Sequence, residues 1–264
     1  MKQRIITGIV AGAGFLGLIY IGGFLFTLLI VLLAAIGMWE LLKMKQIHPW
    51  SVRGLMGLLF TLLLVIPEDW LFTEFLQIER LELFLLLVVV MLSITVTTKN
   101  NFTFDEAGFM VLASVYVGYG FHFFIHARYL DTGMEMIYFL LLLVWATDSG
   151  AYFTGRSFGK HKLWPEISPK KTIEGALGGI ASAFVIGIIF AAFFPVFDSW
   201  ITVVFCILTV SIAGQLGDLV ESAFKRHYAV KDSGHVLPGH GGILDRFDSL
   251  IFVMPILYLF GFLT

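Results

Sequence analysis

Apolar positions along this chain come in long unbroken blocks, not in alternation. From Gly8 to Trp39 there is no charged residue. Blocks of that length predict helices that cross a bilayer, and the lack of a period-two pattern argues against a transmembrane β-barrel. Nine spans are predicted, near residues 5–21, 24–42, 54–67, 82–98, 107–126, 134–155, 175–196, 200–220 and 249–264. The opening Met1-Lys2-Gln3-Arg4 has the look of a signal peptide, but the apolar stretch behind it outlasts an ordinary h-region. It reads as two uncleaved spans broken near Gly22-Gly23. The acidic, mildly amphipathic stretch from Pro67 to Arg80 is expected at an interface.

Basic residues then set the orientation. With the N-terminus in the cytoplasm, fifteen of the seventeen Lys and Arg residues fall on the inner side, and only Arg80 and Arg128 fall outside. So uneven a split follows the positive-inside rule and supports the span count, because one missed span would scramble it. The expected fold is an all-α integral membrane protein, a polytopic bundle of about nine transmembrane helices with a cytoplasmic N-terminus and the C-terminus outside.

Composition agrees. Of 264 residues, 58% are hydrophobic and 14% charged, against about 25% charged in a soluble domain. Mean hydropathy is +0.91. Cys206 is the single cysteine, which excludes a disulfide framework and a cysteine metal site within one chain. Gly8-x-x-x-Gly12 and Gly175-x-x-x-Gly179 carry small residues at helix-packing spacing. Packing within the chain is the plainer reading, and a homodimer through one of these faces is the alternative.

Against this apolar background, carboxylates stand out. A bare acid at mid-bilayer costs roughly 2.5–3.5 kcal/mol on insertion scales, and such residues face a cavity or a partner. Asp148 lies in the sixth predicted span, Asp218 and Glu221 end the eighth, and Asp245 and Asp248 open the ninth. Given the alternating directions of these spans, all three stations come to the cytoplasmic end. Asp218, Glu221, Ser222 and Lys225 follow at i, i+3, i+4 and i+7, and Asp148, Tyr152 and Arg156 at i, i+4 and i+8, so each set shares one helix face. Carboxylates and hydroxyls without a Cys or His cluster suit a hard ion such as Mg²⁺. Salt bridges between helices are the competing explanation, and three clusters on one side weaken it.

Two basic loops border these stations. "GKHKLWPEISPKKTIEG" joins the sixth and seventh spans, and "KRHYAVKDSGHVLPGHGG" joins the eighth and ninth. The positive-inside rule accounts for part of their charge. Ser168-Pro169-Lys170-Lys171-Thr172 reads in addition as a rigid turn offering two ammonium groups, and Gly239-His240-Gly241-Gly242 as bare backbone that an anion can approach. Together these features suggest phosphate chemistry at a membrane. Gly155 to His161 only resembles a P-loop: its glycines are too close and no Ser or Thr follows the lysine.

The stretch from Ser222 to Asp248 resembles the signature of the phosphatidate cytidylyltransferases, the CDP-diacylglycerol synthases, without departure over its 27 positions. "DSGAYFTGRSFGKHKL" and "ISPKKTIEG" resemble that family's segments as well. The likeness covers about residues 145–250. It implies transfer of CMP from CTP to phosphatidic acid, with Mg²⁺ required and a second cation left open. Carried over residue by residue, it implies Asp218 and Asp245 as metal ligands, with Glu221, Asp248 and Asp148 as further candidates. Lys225, Arg226, Lys231 and Arg246 would offset phosphate charge. Lys170 and Lys171 would hold nucleotide or lipid phosphate, Ser222 would bind the metal or a phosphate oxygen, His240 would donate to a phosphate or else stabilise the turn, and Gly241 and Gly242 would let the backbone come near the substrate. Residues 1–130 then read as helices for packing or dimerisation, and 131–264 as the catalytic helices. The expected partners are CTP, phosphatidic acid and the bilayer, with no nucleic acid. The compact chain suggests a bacterial plasma membrane with the site facing the cytoplasm. A cation- or proton-coupled transporter and a CTP-using polyisoprenol kinase are the rival readings.

Overall fold

The computed structural model describes residues 2–70, 78–236, 239 and 241–264. Among them, nine α-helices run in the predicted order: α1 (Lys2–Ile21), α2 (Gly23–Met44), α3 (Val52–Val65), α4 (Arg80–Thr97), α5 (Phe104–Arg128), α6 (Gly133–Phe158), α7 (Ile173–Phe193), α8 (Trp200–His227) and α9 (Leu244–Leu259). Each predicted span has its helix. Six of the helices, α2 and α4 to α8, are long and apolar enough to cross a membrane. α3 and α9, at 14 and 16 residues, reach about 21 and 24 Å, short of a hydrocarbon core of about 30 Å. Of the expected interfacial stretch, one 3-10 turn at Glu68–Trp70 is seen, and residues 71–77 lie outside the described residues.

Lipid-type patterning governs the surface. α4 buries only Met91 and exposes Leu85, Leu86 and Val89. The core forms where α2, α5, α6, α8 and α9 meet, around Phe26, Phe121, Phe139, Ile207 and Met254. Helices that cannot gain by leaving water pack by close approach of small residues. The buried stripe of α7 is Gly175, Gly179, Ala183, Gly187 and Ala191, one every fourth residue. A Cβ on Gly179 would come within 2.8 Å of the Thr147 carbonyl, and one on Gly175 within 2.9 Å of the Ala151 carbonyl. The Gly175-x-x-x-Gly179 face is therefore filled by α6 of the same chain, and Gly12 of the other motif meets nothing within 4 Å.

Helix α5 lies equally close to α9. A Cβ on Gly120 would fall 2.6 Å from Ile251 Cγ2 and 2.7 Å from its carbonyl oxygen. Backbone cannot yield as a side-chain tip can. Gly120→Ala is expected to destabilise the protein by about 1–3 kcal/mol, read as a lower thermal midpoint in detergent. An unchanged midpoint would contradict this contact.

The two basic residues predicted to fall alone on one side share a structural task. Arg80 donates to the carbonyls of Leu64 (3.4 Å) and Ile66 (2.8 Å) at the end of α3. Arg128 donates to those of Ile19 (2.8 Å) and Tyr20 (3.4 Å) at the end of α1. Each neutralises carbonyls that a helix C-terminus leaves without partners.

Two features differ from the sequence expectation. The segment Ser168–Thr172, expected as a rigid turn, is strand β2, paired antiparallel with β1 (Lys162–Trp164), a short hairpin on the expected helical bundle. Pro165 explains the displacement. It follows Trp164, whose carbonyl accepts from Ile167 N (3.3 Å), and so takes the second position of a β-turn, where its fixed φ is favoured. The turn thus falls at 164–167. The last helix, its span expected near residue 249, begins at Leu244, with Asp245 and Asp248 opening it as expected. Its first turn is held by hydrogen bonds from outside the segment, described below.

Candidate active site

At one end of the bundle the charged residues of α6, α8, α9 and the hairpin collect in two tiers. The antiparallel pair α8 and α9 sets their spacing. A Cβ on Gly217 would lie 2.8 Å from the Asp248 carbonyl and 2.7 Å from Phe252 Cβ, so α9 slides against α8 and brings Asp248 level with Asp218. One turn further toward the loops, Glu221 comes level with Asp245.

The deeper tier borders a cavity of about 340 Å³ lined by Asp148, Tyr152, Arg156, Lys170, Lys171 and Asp218, among others. Lys171 Nζ lies 2.7 Å from Asp218 Oδ2. Ser222 Oγ donates to Asp218 Oδ1 at 3.3 Å, and Arg156 donates to the Tyr152 hydroxyl at 3.3 Å. Asp148 and Asp248 both feel the charge of Asp218. Arg246, exposed at the start of α9, acts on Asp148. Asp148 of α6 and Asp218 of α8 thus share one polar space, Asp248 of α9 lies within electrostatic reach of both, and the hairpin brings two lysines to the wall.

Hydrogen bonds fix that hairpin. The Glu174 carboxylate accepts from the Lys160 and His161 amides, and its Oε1 lies 2.6 Å from His161 Nδ1. Thr172 caps α7 by accepting from Gly175 N at 3.1 Å. Arg226, expected at phosphate, donates to the Ile167 carbonyl at 3.2 Å and so ties the end of α8 to the hairpin turn.

The outer tier centres on Lys225, whose Nζ lies 2.6 Å from Glu221 Oε2 and 2.8 Å from Asp245 Oδ1. Asp245 Oδ2 accepts from Ser233 N and Gly242 N, each at 2.9 Å, and lies 2.9 Å from Ser233 Oγ. Gly241 has φ +83°, a left-handed conformation, and a Cβ there would come within 2.5 Å of Asp245 Oδ2. The glycine-rich turn is thus folded around the aspartate. Asp218 and Asp245 each hold their own lysine, Lys171 and Lys225. Lys231 is exposed in the loop. His240 lies outside the described residues.

Sequence reasoning missed Glu40 and Ser233. Glu40, on α2, is 2% exposed, and its carboxylate accepts from Ile243 N (2.8 Å), Leu244 N (2.9 Å) and Ser233 Oγ (3.0 Å). A lone acid inside "GMWELLKM" was the available signal. It stands near the end of its span, where an acid reads as a solvated helix tip.

Among the described residues, no group of three or more His, Cys, Asp or Glu side chains is gathered as a ready metal cage. Glu221, 1% exposed, nevertheless keeps Oε1 buried without a hydrogen-bond partner. Such an atom is costly unless something binds it.

Fold and site together define a polytopic helical membrane protein with a charged polar chamber at one end. The model of the cytidylyltransferase family matches residues 2–264. A phosphatidate cytidylyltransferase of Bacillus subtilis is 51% identical over 259 residues, covering 98% of this chain and 96% of the relative. Those of Staphylococcus epidermidis and Staphylococcus aureus are 45% and 43% identical over 258 residues, covering 97% of each chain. The chain belongs to the phosphatidate cytidylyltransferase family.

Proposed function

We propose that the two-tiered chamber transfers CMP from CTP to phosphatidic acid at the cytoplasmic face of the plasma membrane. The convergence of Asp148 and Asp218, from two helices, with Lys170, Lys171 and Arg156 on one cavity carries this reading. An oxygen of the lipid phosphate bonds to the α-phosphorus of CTP. The bond from that phosphorus to the β-phosphate oxygen breaks, and pyrophosphate leaves with the electron pair. A phosphomonoester has its second pKa near about 6, so the nucleophile is already anionic and no dedicated base is needed. Positioning and charge neutralisation then dominate, as in phosphoryl transfer generally. Lys171, at the hairpin wall, exchanges Asp218 for a phosphate oxygen, and Arg156 turns from Tyr152 to a second one.

The donor set fits Mg²⁺. It is all oxygen, it includes the orphaned Glu221 Oε1, and Mg²⁺ is commonly held by one or two carboxylates plus substrate phosphates. Asp218, Asp248 and Asp148 would hold it, with Glu221 beside them. Asp245 has only Oδ1 to offer, because Oδ2 is committed to Ser233 and Gly242. When bound, such an ion neutralises charge on the triphosphate.

The test supplies purified protein with CTP, Mg²⁺ and phosphatidic acid and follows pyrophosphate. Release that requires the lipid is expected. Formation of CDP with a phosphorylated polyisoprenol would indicate a kinase instead, and no turnover with any lipid would favour transport.

A further inference from the structure

Glu40 belongs to the half of the chain that sequence reasoning assigned to packing, yet it reaches the loop that carries Asp245. A carboxylate buried in an apolar helix costs several kcal/mol unless its oxygens are bonded. Both oxygens of Glu40 are bonded, and all three donors lie in the 233–244 segment. The Ile243 and Leu244 amides enter α9, which has no side-chain cap of its own. First-turn amides of a helix need an outside acceptor, and α2 supplies it here. Ser233 Oγ donates to Glu40 Oε2 (3.0 Å) and is also within 2.9 Å of Asp245 Oδ2. One hydroxyl thus joins the two carboxylates. The loop is shaped to admit Glu40. A Cβ on Gly234 would lie 2.5 Å from Oε1, and one on Gly242 would lie 2.5 Å from both oxygens.

Resting on the cytidylyltransferase reading of the chamber, we propose that Glu40 is a positioning residue for that reaction. It caps α9 from α2 and locks the Gly241–Asp245 turn so that Asp245 Oδ1 faces Lys225 and the chamber. It touches neither substrate, and it makes the N-terminal helices part of the catalytic frame.

The test compares wild type, Glu40→Ala, Glu40→Gln, Ser233→Ala and the double variant Glu40→Ala/Ser233→Ala, purified in detergent and quantified as folded protein. Two quantities are read: kcat with CTP, Mg²⁺ and phosphatidic acid, and hydrogen exchange at the Ile243 and Leu244 amides. Glu40→Ala is expected to lower kcat per folded molecule by about 10–100-fold, the range seen when a group that orients a ligand residue is lost, and to speed exchange at both amides. Glu40→Gln keeps one acceptor oxygen and should fall between. If Glu40 and Ser233 act as one unit, the double variant loses little more than Glu40→Ala alone. Wild-type kcat per folded molecule in Glu40→Ala, unchanged exchange, or additive losses in the double variant would each overturn the proposal. Should Glu40→Ala not fold, Glu40→Gln and Ser233→Ala decide by the same two readings. Should wild type itself not turn over, the cytidylyltransferase reading fails, and exchange alone decides whether Glu40 holds the turn.

Discussion

Asp245→Asn is expected to cut turnover by about 10²–10³-fold, the scale of losing one well-placed electrostatic group, while the protein still inserts and folds. The two oxygens of Asp245 have different work. Oδ2 accepts from the Ser233 and Gly242 amides and touches the Ser233 hydroxyl, and Oδ1 lies 2.8 Å from Lys225 Nζ. An asparagine must turn its NH₂ either toward those donors or toward the ammonium, so it cannot satisfy both sides. Lys225 is then left with Glu221 alone, and the charge presented to the nucleotide changes. Pyrophosphate release per mole of folded protein measures this. A rate near that of wild type would remove Asp245 from the chemistry.

The largest stability effect is expected at Lys225. Its side chain is 14% exposed, and it separates Glu221 (1%) from Asp245 (9%). Lys225→Met leaves two buried carboxylates facing each other with no cation between them. Removing one partner from a buried ionic cluster costs about 3–5 kcal/mol, and the thermal midpoint in detergent should fall accordingly. Adding Glu221→Gln removes one of the stranded charges and should restore part of the loss, a coupling that a double-mutant cycle reads directly. Additive losses from the two substitutions would contradict the bridge.

Much of this was legible in the chain. Continuous apolar blocks placed all nine helices, and helical spacing put Asp218, Glu221, Ser222 and Lys225 on one face, where α8 carries them. What escaped depended on neighbours distant in sequence. Periodicity cannot show that Glu40 meets Ile243, 203 positions away, because a helix pattern says which face is polar and not what that face meets. The β-hairpin escaped because Ser168–Thr172 is only five residues, too short to outweigh its proline. The boundary of α9 was set late because the unbroken apolar run starts near 249, although Asp245 and Asp248 were expected to open it, and the acceptors supplied by Glu40 let the helix begin at Leu244. The glycines of "GHGG" were read as room for an anion. Gly242 in fact faces Glu40 and Ser233, and Gly241 faces Asp245, so internal packing is reason enough for both.

The central claim is that the carboxylates of α6 and α8, with Asp248 of α9 beside them, serve one chamber that takes a nucleotide together with a divalent cation. Calorimetric titration of CTP into the purified protein, with and without Mg²⁺, tests it most directly, repeated on Asp218→Asn and Asp148→Asn. The account predicts CTP binding that strengthens with Mg²⁺ in wild type and loses that dependence in both variants. CTP binding that ignores Mg²⁺ in wild type, or that keeps its full Mg²⁺ dependence in both variants, would contradict it.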